Sequence, residues 1–148
     1  MMRVVVSILC VVLAFNSLAA RQDDAAKKDL KALQGDWIMA ALEVNGVDVP
    51  ANKLEGTVLA IKDNRYVVKV KDKLVTTAIL ELNPKTDPKQ LDMTPQDGDK
   101  KDKLMRAIYK IEGDTFKMAR GLNPEQERPT QFATWPDTNY FVVTWKRK

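Results

Sequence analysis

The chain carries no histidine and a single cysteine, Cys10. Its only serines, Ser7 and Ser17, share the first twenty residues with that cysteine. Past residue 20, neither a Ser–His or Cys–His nucleophile pair nor the Cys/His shell of a zinc site can be assembled. What remains is carboxylate, Lys, Tyr and Thr chemistry. A pair of carboxylates can hydrolyse a glycoside, one as the acid and the other as base or nucleophile. Here Asp63, Asp72, Asp97, Asp99, Glu112 and Asp114 fall at expected turns, and only Glu43 and Glu81 lie deep in expected strands. Solvated charge on an outward face accounts for both. Asp97-Gly98-Asp99 with Asp102 offers oxygens to calcium, but Lys100, Lys101 and Lys103 interrupt it and the spacing of a calcium loop is absent. No catalytic residue, metal ligand or cofactor is expected.

Binding chemistry is better represented. Met39, Tyr66, Met105, Tyr109, Phe116, Met118 and Phe141 form an aromatic and methionine set on the inward faces of expected strands. Two readings are open. The set could line a pocket for an apolar or aromatic ligand, with the tyrosine hydroxyls orienting it. It could equally fill the interior, methionine plugging irregular gaps. The number of bulky side chains favours filling slightly. Arg106 lies between Met105 and Ala107, so alternation puts it outside; turned inward it would suit a carboxylate, as basic residues do in fatty-acid carriers. Trp135-Pro136 stands in a loop before the last strand, either as an exposed anchor for a partner or as a lid folded over one end.

The elements that must position these residues are mostly strands. Gln22 to Gln34 is the one good helix candidate: Asp23 or Asp24 can cap it, Ala26, Leu30 and Leu33 share a face, and Gly35 suits a left-handed C-terminal cap. After Gly35 the period becomes two. Strands are expected over Trp37 to Val44, Thr57 to Lys62, Arg65 to Val70 and Lys73 to Leu82, with Val47 to Val49 a short stretch after the first turn that Pro50 stops. They continue over Gln90 to Thr94, Leu104 to Ile111, Thr115 to Ala119 and Tyr140 to Arg147. Asn45-Gly46, Asp63-Asn64, Lys71-Asp72 and Glu112-Gly113-Asp114 mark the tight turns. Gly121 to Pro129 reads as a polar loop. This is roughly eight short strands in sequence, an all-β meander that curls into a barrel or sandwich. An eight-stranded barrel is just wide enough to be filled by side chains or to hold one small ligand.

The first twenty residues carry their own signal. Met1, Met2 and Arg3 precede an apolar run from Val4 to Phe15, and Asn16-Ser17-Leu18-Ala19-Ala20 supplies small residues at the spacing a signal peptidase expects. This pattern is that of a secretory signal peptide, too short and wrongly flanked for a membrane anchor. Lipidation at Cys10 would need a small residue directly before it, where Leu9 stands. Residues 21–148 are then one exported domain, periplasmic or extracellular, with no transmembrane segment and no cysteine to oxidise. Its net charge falls from +4 to +3 with the loss of Arg3. Lysines and acids alternate rather than forming a stripe, so no nucleic-acid partner is expected. The expected partners are a small apolar ligand or an envelope protein, and the expected state is a monomer.

Gly35-Asp36-Trp37 after a short helix, with a last strand ending Trp145-Lys146-Arg147, resembles the lipocalin and fatty-acid-binding pattern. The resemblance implies a lipocalin-like barrel: eight antiparallel strands, one N-terminal helix, and an indole packed at the closed end against a basic side chain of the last strand. Trp37 and Arg147 would be that pair, with Lys146 as the alternative partner. A longer match runs through Leu30 to Trp37, Leu42 to Gly46, Tyr109 to Lys117 and Arg128 to Phe132. These segments are similar to an uncharacterised family of small exported domains abundant in planctomycete bacteria. That resemblance implies the exported barrel and brings no activity with it. The leading expectation is a non-enzymatic exported binding module. A structural or protein-interaction domain with a filled barrel is second, and a carboxylate enzyme third.

Overall fold

Alternating strands cut by tight turns build this molecule. The structure, a computed structural model, describes residues 24–148. The expected signal segment, with Ser7, Cys10 and Ser17, lies outside the described residues, as does Asp23. Helix α1 covers residues 24–33. Gly35 then opens β1 at φ +114°, a conformation in which an L side chain is strained, and a Cβ there would sit 3.2 Å from Arg147 Nη1. The strands are β1 (Gly35–Val44), β2 (Val47–Asp48), β3 (Thr57–Lys62), β4 (Arg65–Val70), β5 (Lys73–Asn83), β6 (Lys89–Pro95), β7 (Met105–Glu112), β8 (Thr115–Gly121) and β9 (Tyr140–Arg147). A single 3-10 turn, Ala51–Lys53, follows β2.

All pairings are antiparallel, in the order β1, β3, β4, β5, β6, β7, β8, β9, and β9 pairs back onto β1. The result is a closed eight-stranded antiparallel barrel with one helix before it and β2 as a short flap on β1. Closure leaves no long open edge for another chain to extend. Turn chemistry explains the short connections: Asn45 and Gly46 have φ of 51° and 79°, and Lys71 and Asp72 have φ of 49° and 66°. These are the paired positive values that match the twist of a two-residue hairpin. Among the described residues no helix is long and apolar enough to cross a membrane.

Two register shifts break the regular ladder. Met39 faces Trp145 and Ala41 faces Thr144, so Ala40 is an extra residue in β1. The shift changes which parity points inward: Trp37 and Met39 before it, Leu42 and Val44 after it. In β5, Val75 is the extra residue between the pairs Val68–Thr76 and Lys69–Leu74. Bulges of this kind re-aim side chains and often flank binding sites.

The two ends of the barrel differ. At the α1 end Leu33, Trp37, Leu59, Phe116 and Met118 are packed with no more than 1% exposure. Burying each large apolar side chain there contributes about 1.5–3 kcal/mol. On the outside, Ile108, Ala119 and Val142 form a second small cluster under Phe132 of the 122–139 connection. Arg128 anchors that connection: Nη1 donates to the carbonyls of Leu91 (3.1 Å) and Ala107 (2.7 Å), and Nη2 to Asp92 (2.6 Å). The segment expected as a plain polar loop is thus strapped to β6 and β7.

Candidate functional site

The closed end is organised around Trp37. Its indole N–H donates to the Leu33 carbonyl at 2.9 Å, and its ring meets Phe116 edge-on at 6.0 Å. The Arg147 guanidinium lies 4.2 Å from the Trp37 ring. Arg147 also donates from Nη1 to the Gln34 carbonyl (2.8 Å) and from Nη2 to the Ala32 carbonyl (2.7 Å). The last strand therefore caps the C-terminus of α1, where free carbonyls and the helix dipole favour a cation. Lys146, the alternative partner, is exposed.

A second contact seats α1 on the barrel. Asp29 Oδ2 accepts from Lys89 Nζ at 2.8 Å and from the Tyr109 hydroxyl at 2.7 Å. Burial, the hydrogen bond to Asp29 and the charge of that carboxylate, in that order, push the Tyr109 phenol well above its ordinary value. Tyr109 thus spends its hydroxyl on the helix.

The opposite end is open. A cavity of about 240 Å³ enters the barrel there. Its walls come from Met39, Leu42 and Val44 of β1, Tyr66 and Val68 of β4, Thr76 of β5, Arg120 and Leu122 at the end of β8, and Phe141, Val143 and Trp145 of β9. Both bulges contribute to it: the first turns Leu42 and Val44 inward, and the second brings Thr76 opposite Val68.

The candidate set divides between these regions. Met39, Tyr66 and Phe141 line the cavity. Met105, Tyr109, Phe116 and Met118 do not line it and lie in the packed core, each with at most 1% exposure. Trp135 is 49% exposed beside a shallow outer groove with Arg128 and Tyr140, away from the cavity lining. Arg106 is exposed on the outer face, as alternation places it.

Of the two carboxylates deep in strands, Glu43 holds structure. Glu43 accepts from the Thr134 backbone N–H at 2.9 Å and from the Thr134 hydroxyl, whose oxygen accepts from Gly46 N–H at 2.7 Å. Glu81 is exposed and pairs in register with Asp92, which faces Arg128. Among the described residues no group of three or more acidic, Cys or His side chains is gathered to hold a metal ion.

Arg120 was not among the candidates, because the expected strand stopped at Ala119. Its parity with Phe116 and Met118 was the signal that could have found it. Its guanidinium stacks 4.5 Å from the Phe141 ring, and Nη1 donates to the Gly121 carbonyl at 2.8 Å. Nε is buried and has no acceptor among the described residues. Burial lowers the Arg120 pKa, with Tyr66 opposing the shift. Tyr66 is raised well above the ordinary phenol by burial, against the pull of Arg120 and of the nearby Trp145 N–H. That indole N–H reaches no acceptor in hydrogen-bonding geometry.

No family model, curated protein or solved structure matches this chain.

Proposed function

We propose that this chain is an exported, non-enzymatic binding module that takes a small, mostly apolar ligand at the open end of its barrel. The observation that carries this reading is the cavity of about 240 Å³, lined by Met39, Tyr66, Phe141 and Trp145, in a barrel whose other half is packed solid. Concave apolar sites with a few convergent polar groups are the usual form of small-molecule sites. Export is supported by the pattern of residues 1–20 alone.

A titration with a neutral, naphthalene-sized fluorophore tests the reading. Saturable one-to-one binding is expected, with a rise in melting temperature. Ligand at a hundredfold excess over its Kd stabilises the folded state by about 2.7 kcal/mol. Absence of both effects would overturn it. Export is tested separately: the mature protein from its own host should begin at Ala20 or Arg21, and a secreted form keeping Met1 would contradict the cleavage.

One observation favours a second reading, a protein-interaction domain. Val47, Leu74, Val75, Leu104 and Trp135 are exposed large apolar side chains on the strand ends and loops at the open end. A partner covering them would quench solvent access to Trp135 without a small ligand being present.

A further inference from the structure

We infer that the open-end cavity selects a small carboxylate, a ring-sized apolar body whose acid group is received by Arg120. This rests on the binding-module reading and gives its ligand a chemical class. The guanidinium carries five N–H donors and no acceptor. Among the described residues only Nη1 finds an acceptor, the Gly121 carbonyl. No carboxylate pairs with Arg120 among the described residues, whereas Arg128 and Arg147 each have an acidic partner, Asp92 and Asp114. Among the described residues Arg120 is thus an arginine of the cavity wall with no acidic partner and with Nε lacking an acceptor.

Such an arrangement is costly in a folded protein. A cation partly withdrawn from water without a counter-charge is disfavoured unless something compensates it. Phe141 compensates in part by offering its ring face at 4.5 Å. A carboxylate would compensate fully, because guanidinium matches its geometry with two parallel bonds. Tyr66, a polar group close to Arg120, is held by its burial as a neutral phenol, a donor rather than a competing anion. The cavity wall is therefore richer in donors than in acceptors, and an anionic acceptor is the complementary ligand.

Size narrows the class. A dry apolar cavity of about 150 Å³ accommodates benzene. The present cavity of about 240 Å³ admits a ring and a short side chain, but not the full length of a long-chain acid. The aromatic faces of Tyr66, Phe141 and Trp145 suit a flat body, and Met39 can adjust to its outline.

Calorimetric titration of the full mature chain with phenylacetate and 4-phenylbutyrate, each against its uncharged amide, tests the inference at neutral pH. The acids should bind at least tenfold more tightly than the amides. Arg120→Met should abolish that preference, the acids falling to the affinity of their own amides. Arg120→Lys, which keeps the charge without the fork, should retain part of the preference and covers the case in which the Met variant does not fold. Amides and the neutral fluorophore binding as well as the acids would overturn the carboxylate assignment and leave the binding module standing. Retention of acid preference in Arg120→Met would also overturn it. Failure of acids, amides and fluorophore alike would overturn the binding module itself.

Discussion

Arg147 stacks on Trp37 at 4.2 Å and, from the same guanidinium, holds the Ala32 and Gln34 carbonyls at the end of the helix. One side chain from the last strand thus closes the barrel and pins α1 to it. Its contact with Asp114 is longer, 3.6 Å, and that carboxylate is exposed. The carbonyl bonds and the ring therefore outweigh the ion pair, because exposed pairs contribute little.

Trp37→Ala should destabilise the fold by about 3–5 kcal/mol as a large-to-small change in a packed site. Arg147→Ala should cost about 2–3 kcal/mol from its charged hydrogen bonds and the ring contact. Asp114→Ala should stay within about 0.5 kcal/mol. Chemical denaturation of the Trp37/Arg147 double variant should show coupling of about 1 kcal/mol, and additive losses would show that the stacking carries no energy.

Thr134→Val should remove the hydroxyl that bridges Glu43 and Gly46 and cost about 1 kcal/mol, the net worth of hydrogen bonds to partly exposed partners. Glu43→Gln should cost less, since the amide oxygen can still accept. Equal stability of Thr134→Val and the wild type in urea would contradict this network.

Arg128→Met should release the 122–139 connection from β6 and β7. A loss of about 1–3 kcal/mol is expected, with amide exchange rising first in that connection. Exchange rising uniformly over the whole barrel would show that the strap is not a separate unit.

Stability should fall as pH rises above about 10, the ordinary phenol value. Tyr66 and Tyr109 are both raised in the folded state, Tyr66 by burial and Tyr109 by burial with Asp29. The unfolded chain then loses its phenol protons before the folded chain does, so their contribution is complete below about 10 and is lost as pH climbs toward the folded values. In a Tyr140→Phe background, phenolate absorbance should appear only together with unfolding. Phenolate signal from a chain still folded would refute the burial argument, and the Tyr66→Phe/Tyr109→Phe protein should show a shallower alkaline loss.

Much of the fold was legible because its signals are local. Alternation in Arg65–Val70 and Tyr140–Arg147 and the Asn45-Gly46 and Lys71-Asp72 turns act over a few residues, and the strands form where that pattern places them. The placement of Arg147 on the inward face beside Phe141, Val143 and Trp145 follows from parity alone. Less of the candidate site was legible. The set of seven aromatic and methionine side chains was read as one unit, whereas three line the cavity and four lie in the packed core.

Composition and period, then, determined an all-β chain with one leading helix and excluded nucleophile–histidine chemistry past residue 20, since these depend on residue type and near neighbours. Tertiary structure decided what depends on distant partners and on register. Ala40 bulges out of β1 only because β9 pairs with it about a hundred residues later, and that one shift turns Leu42 and Val44 inward. Glu43 is held by Thr134, and Asp29 is drawn to Tyr109, across 91 and 80 residues of chain. Barrel closure then sets which ring of side chains meets at the mouth. It is this closure, not any motif, that sets Arg120 in the wall of a mostly apolar cavity with no acidic partner among the described residues.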